Sequence, residues 1–245
     1  MPYIRREVKA GSIVEVKEYY SHRYHAKGDR GARIRPSPDS MKKQNQRIAE
    51  QNLRWLMNAN FKGGDYLIRL DFNKWPPLDS IEMQNMTAKA MRQLKKLYQK
   101  AGLELKYIYV KEVGKRSSRH LHLMVNRIDT EVLRTWWQYG GIHIDPIDDS
   151  GQYGQIAAYF IKYAGRTEDA EGELVGKRYY ASRNLEKPKI TKRVIKSNRF
   201  KAVPRVPKGF YLDKDSVRQG VSDFTGWEYF SYTLIRLERG PTDDS

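Results

Sequence analysis

There is no cysteine among the 245 residues, which excludes disulfide frameworks, cysteine-held zinc and thiol nucleophiles. No stretch approaches 18 consecutive apolar residues, so no membrane-spanning helix is expected. The opening MPYIRREVKAGSIVEV is charged throughout and has no apolar core, so no secretory leader is expected and the chain reads as soluble and cytoplasmic. No repeat of 20–50 residues is evident. A phosphate-binding loop is missing too. Gly172-Glu173-Leu174-Val175-Gly176-Lys177-Arg178 has one residue too few between its glycines, and Arg stands where a hydroxyl is needed. That argues against a nucleotide cofactor and an ATP-driven helicase. Asp145, Asp148 and Asp149 lack calcium-loop spacing, and His22 and His25 have no second pair to make a metal site.

Acidic residues are also scarce, at 29 Asp plus Glu against 46 Lys plus Arg, a net charge of +17. The excess is uneven. Residues 1–60 carry 13 basic and 6 acidic side chains, residues 61–150 carry 15 and 11, and residues 151–245 carry 18 and 12. Between Gly176 and Gly209 there are 12 basic residues and one acid, Glu186. A polyanion suits such a run, because each phosphate neutralised releases condensed counterions. Lys177, Arg178, Arg183, Lys187, Lys189, Lys192 and Arg193 in this run, with Arg119 and Arg166 upstream, are the candidate nucleic-acid contacts. The 17 tyrosines and 5 tryptophans offer flat faces to unpaired bases, which favours single strands. The ordinary alternative is a soluble basic protein with solvated charge runs.

Residues 1–60 read as a basic arm plus a helix: a short strand at Ser12–Tyr20, an irregular arm around His22–Arg35, then a helix over 40–59 with Ser40 as its cap. Residues 61–170 alternate regularly. Strands are expected at Tyr66–Phe72, Leu105–Val113, Arg119–Asn126 and Ile142–Ile147. Helices are expected from Asp79 or Ser80 to Lys100, from a Thr130 cap to Gln138, and over Gln152–Tyr163. The order β-α-β-β-α-β-α is a ferredoxin-like split βαβ plus a trailing helix. It predicts an α+β fold, an antiparallel sheet with helices on one face. Residues 171–245 read as a basic, strand-containing extension whose pieces do not assemble from pattern alone.

Two motifs carry chemistry. In Arg119–Asn126 (RHLHLMVN), strand alternation turns His120 and His122 to one face, roughly 7 Å apart, and Leu121, Leu123 and Val125 to the other. If the Gly114–Ser118 turn pairs Val113 with Arg119, Glu112 stands opposite His120 on the same face, and a slip of one residue removes it. His-His-Glu is a nitrogen–oxygen set suited to Mg or Mn and to polarising a phosphodiester. Alone, H-x-H is a cheap pattern and more often two idle histidines. In Tyr159–Arg166 (YFIKYAGR), Tyr159 and Tyr163 share a helix face with Lys162 beside them. A tyrosine hydroxyl, with a free pKa of about 10, needs a neighbouring cation or metal to attack phosphorus. Aromatics at this spacing usually just pack. His143 alternates with Ile142 and Ile144 and faces the same side as other polar groups.

The two motifs together, about forty residues apart in a split βαβ order, resemble the HUH endonuclease superfamily. That resemblance implies that His120 and His122, with Glu112 as the acidic ligand, hold a divalent metal on the sheet. It also implies that Tyr159 is the first nucleophile, Tyr163 the second, and Lys162 the family lysine. The Y-x-x-K-Y pattern is similar to that of the two-tyrosine rolling-circle initiators of microviruses. The strand Leu67–Asn73 sits where the family has its first motif, although Asp71 replaces the usual hydroxyl-rich ending. The basic arm and Asn184–Pro188 (NLEKP) also look like replication-associated proteins of the ORF2/G2P type, with the motifs spanning residues 65–166. The resemblance implies nicking and joining of single-stranded origin DNA through a 5′-phosphotyrosine, a host helicase and polymerase as partners, and no membrane. Two rivals stay open: the same chemistry in a transposase or relaxase, and a non-catalytic single-strand or RNA binder on a ferredoxin-like sheet.

Overall fold

The computed structural model describes residues 2–21, 39–74, 78–114, 118–166, 177–196, 203–222 and 226–237, without the side chains of Ser40, Gly165 and Arg166. The chain divides into two units, residues 1–42 with 187–245, and residues 43–186. Each unit is built on a five-stranded antiparallel sheet. No helix among the described residues is long and apolar enough to cross a membrane.

The first unit joins the two ends of the sequence. β1 (Tyr3–Ala10) and β2 (Ile13–Tyr20) form a hairpin around Gly11, whose φ of 61° suits glycine in a two-residue turn. β8 (Lys189–Val194), β9 (Phe210–Val221) and β10 (Glu228–Arg236) complete the order β8-β1-β2-β10-β9. Val14, Val16, Phe230, Tyr232 and Leu234 form its core, as period-two alternation requires. The opening residues are therefore a strand and not only a basic arm, and the C-terminal pieces find their partners in the N-terminal hairpin. The arm expected around His22–Arg35 lies outside the described residues.

The second unit contains α1 (Asp39–Asn60) from Lys43 onward, β3 (Tyr66–Phe72), α2 (Ser80–Lys100), β4 (Tyr107–Val113), β5 (Arg119–Val125), α3 (Thr130–Trp136), β6 (Ile142–Pro146), α4 (Gly154–Arg166) and the two-residue β7 (Tyr180–Ala181). Its sheet runs β6-β3-β5-β4-β7. β5 lies between β3 and β4, the strands that α2 connects, which is the split βαβ order. Helix α2 starts with a full capping box between Asp79 and Glu82. Helix α3 is capped by Asp129 rather than Thr130, because the Asp129 carboxylate accepts from the Glu131 N–H.

The expectation of helices on one face is corrected. Ile68, Leu70, Leu121 and Leu123 pack against Met83, Leu94 and Tyr98 of α2 and Leu133 and Trp136 of α3. Ile108, Val110 and Met124, on the other face, pack against Leu53 and Met57 of α1 and Ala157, Phe160 and Ile161 of α4. The apolar residues of β4 and β5 sit at both odd and even positions, so both faces must be covered. The face covered by α1 and α4 is the one that carries the histidines.

Candidate active site

The site grows from three neighbouring strands. In the register found, Glu112 of β4 and Asp71 of β3 both stand opposite His120 of β5. One row further along, His122 stands opposite Arg69 of β3, and Arg69 is in turn opposite His143 of β6. Cross-strand partners project to the same side, so all of these groups share one face.

The hydrogen bonds do not simply follow the rows. Glu112 Oε2 is 2.6 Å from His122 Nε2, a contact in which both side chains are buried. Asp71 Oδ1 is 2.7 Å from His120 Nδ1, and Ser118 Oγ is 2.9 Å from His120 Nε2. Each carboxylate thus orients one imidazole. A carboxylate only accepts, so the proton of a neutral His122 sits on Nε2, and that of a neutral His120 on Nδ1. Nδ1 of His122 is left as an acceptor, and the Tyr159 hydroxyl lies 3.3 Å from it.

Helix α4 places the tyrosines because Ala157, Phe160 and Ile161 anchor it to the sheet. Tyr159 and Tyr163 follow one turn apart, their ring centroids 4.3 Å from each other and 4.9 and 5.2 Å from the His122 ring. Tyr159 remains 37% exposed, so a large substrate can reach it. Burial first, then Tyr163 and the Glu112 charge, push its hydroxyl up to about 12, while Arg69 pulls the other way. Ionising it at neutral pH therefore needs a proton acceptor and added positive charge. Lys162 is exposed and has no ion pair or hydrogen bond among the described residues.

Two glycines make the strand ends passable. A Cβ on Gly114 would stand 2.9 Å from His120 Nε2 and 2.6 Å from Ser118 Oγ. A Cβ on Gly140 would stand 2.2 Å from the Asp71 carbonyl oxygen. This close approach lets the chain before β6 bond Asp71, whose N–H donates to the Gly141 carbonyl at 2.8 Å. The Trp137 indole N–H donates to the Asp71 carbonyl at 3.1 Å.

By chemistry, His120, His122, Glu112 and Asp71 fit a hard divalent cation, with two imidazoles and two carboxylates on one face. Their donor atoms are paired with one another. Among the described residues, no three His, Asp or Glu side chains stand in an arrangement that could hold a metal ion. A bound cation would have to replace the carboxylate–imidazole bonds.

The other candidate residues fall in several places. Arg119 is turned to the opposite face, where it is buried and its Nε donates to the Leu78 carbonyl at 2.9 Å. That is a correction to its expected place on nucleic acid, and alternation along β5 explains it, since Arg119 is odd where the histidines are even. Lys177, Arg178 and Arg183 are exposed in the second unit, and Lys187, Lys189, Lys192 and Arg193 are exposed in the first. The Arg166 side chain lies outside the described part of the structure. Sequence reasoning missed Arg69 and Ser118, and noted Asp71 only as a departure from a motif. The alternation Leu67, Arg69, Asp71 was a signal for a polar face, but the identity of the neighbouring strand was not in it.

Residues 75–168 match the family model of Replication-associated protein ORF2/G2P. That stretch holds Glu112, both histidines and the Tyr159–Tyr163 helix, and agrees with the resemblance drawn from the motifs; it stops short of β3. No curated protein and no solved structure matches the chain.

Proposed function

We propose that this replication-associated chain is a metal-assisted, site-specific endonuclease of single-stranded DNA that opens rolling-circle replication with a nick at an origin. The observation that carries this reading is the meeting of Tyr159 with His122, 3.3 Å apart, while Glu112 holds the far side of the same ring. Two motifs that mean little singly become one constellation that brings the nucleophile to the side chains that would hold a metal.

The Tyr159 oxygen attacks the scissile phosphorus. The O–P bond forms as the P–O3′ bond breaks, giving a 5′-phosphotyrosine and a 3′ oxygen that takes up a proton from solvent. The tyrosine proton leaves to solvent, which keeps His122 and Glu112 unprotonated, as metal ligands must be. The new 3′-hydroxyl primes a host polymerase, with a host helicase opening the duplex ahead. Tyr163, on the same helix face, cuts the regenerated origin while Tyr159 still holds the displaced end, and reversal of the chemistry joins the strand. Lys162, exposed on the same turn, supports the phosphate charge. His120, His122 and Glu112 are the residues that would hold Mg or Mn, which when bound supplies a Lewis acid for the phosphate. The exposed lysines and arginines between Lys177 and Arg193, together with Arg166, grip flanking DNA.

The test is a covalent-adduct assay on denaturing gels, using single-stranded origin DNA from the chain's own replicon with Mn or with EDTA. A metal-dependent adduct is expected for the native chain, and none for the Tyr159→Phe, Tyr163→Phe double variant. Tight binding with no adduct would overturn the reading in favour of a non-catalytic binder. An adduct on transfer-origin or transposon-end DNA alone would move the chemistry to mobilisation.

A further inference from the structure

We propose that Arg69 grips a phosphate of the bound strand beside Tyr159, with Asp71 as the residue that positions it; the inference rests on the nuclease reading and deepens it. Arg69 lies outside the stretch that matches the family model. It stands between two histidines in the ladder, His122 on one side and His143 on the open edge strand β6 on the other. Its Nε donates to Asp71 Oδ1 at 3.0 Å, and its side chain is 52% exposed. No other partner engages the guanidinium among the described residues.

A half-exposed arginine ordinarily samples many rotamers, and ordering it carries an entropic penalty. Here Asp71 restrains it, and Asp71 is itself held at three points: its N–H on the Gly141 carbonyl, its carbonyl by the Trp137 indole, and its carboxylate on His120. A guanidinium fixed at Nε leaves its terminal nitrogens for a ligand, and that planar fork matches two oxygens of a phosphodiester. The charge sits on the face of the sheet that carries His122, against which the Tyr159 hydroxyl lies. His143, bonded to Asp145 at 3.3 Å, continues the row toward the sheet edge, away from the helix that bears the tyrosines.

The test compares the native chain with Arg69→Gln, Arg69→Lys and Arg134→Gln. Arg134 is exposed on α3, on the opposite face of the sheet, and controls for loss of one positive charge. Single-turnover adduct formation, Mn affinity of the free protein, and oligonucleotide binding against salt in a Tyr159→Phe background are measured. Arg69→Gln is expected to slow adduct formation about 100-fold and to lower the slope of log K against log salt by about 0.7, one single-strand phosphate contact. Mn affinity stays native. Arg69→Lys regains the slope but not the rate, since an ammonium keeps the charge and loses the fork, and Arg134→Gln behaves as the native chain. A native rate and slope in Arg69→Gln would overturn the proposal, as would a rate loss matched by loss of Mn affinity, which would assign the effect to the histidine cluster. If the native chain forms no adduct, the nuclease reading fails, and the salt slope still decides whether Arg69 holds phosphate.

Discussion

Glu112 stands opposite His120 in the β-ladder yet bonds His122, one row away, at 2.6 Å. His120 turns instead to Asp71 on the other neighbouring strand. The two histidines are thus oriented from opposite sides of β5, by carboxylates on different strands, so that Nε2 of His120 faces Ser118 Oγ while Nδ1 of His122 faces the Tyr159 hydroxyl.

The Glu112–His122 bond should matter more to chemistry than to folding. Glu112→Gln keeps the shape but offers a neutral amide, which neither fixes the His122 tautomer nor serves a hard divalent cation as a carboxylate does. Adduct formation at fixed pH and Mn concentration should fall about 100-fold, the upper end of the usual loss when a supporting group at a metal site is removed. Circular dichroism and the thermal midpoint should stay close to native.

Gly114 and Gly140 should separate function from stability. A methyl at Gly114 meets the ends of His120 and Ser118, which can move, so Gly114→Ala should displace His120 and weaken Mn binding without unfolding the protein. A methyl at Gly140 meets the Asp71 backbone, which cannot. Gly140→Ala should lose about 1–3 kcal/mol, as over-packing does, visible as a lower urea midpoint. Equal thermal midpoints for the two variants would contradict this division.

Alkaline pH should destabilise the fold before it reaches the usual base limit. Burial is the first cause that raises the hydroxyls of Tyr98, Tyr109, Tyr153 and Tyr159, the last two to about 12. Above pH 10 the unfolded chain releases protons that the folded chain retains. This contribution to stability is complete below about pH 10 and is lost as pH rises through the folded values. Urea midpoints measured from pH 8 to pH 11 should fall beyond pH 10. Tyr98→Phe should reduce the steepness of the fall, while also losing the bond that Tyr98 donates to the Asn126 carbonyl.

Asn60 closes a long loop. Its amide donates to the Glu186 carbonyl and accepts from the Glu186 N–H, both at 2.8 Å, across 126 residues of sequence. Asn60→Ala removes both bonds and should lose about 1–2 kcal/mol. Backbone amide exchange at Glu186 should quicken while the β5 amides stay protected. Unchanged exchange at Glu186 would show that other contacts hold this segment.

Much of the second unit was legible because its signals are local. Hydrophobic period, the Asp79 cap and the alternation around His120 each depend on a few adjacent residues. Strand Tyr66–Phe72 and helix Ser80–Lys100 therefore emerge with the expected bounds. Single-face coverage was misread because the alternation around His120 is one-sided on its own, whereas Ile108, Val110 and Met124 put apolar side chains on the histidine face too. The C-terminal strands stayed unassembled because their partners, β1 and β2, lie almost the whole chain away.

By itself, the sequence determined that this is a strongly basic chain without thiols, with two imidazoles on one strand face and two tyrosines on one helix face. Alternation and helical pitch alone require those placements. Only the tertiary structure decided that the two faces meet, that Asp71 and not Glu112 takes His120, that Arg69 stands beside His122, and that Arg119 turns away. Those outcomes depend on which strands become neighbours and in what register, and long-range pairing leaves no periodic trace in the residues that take part in it.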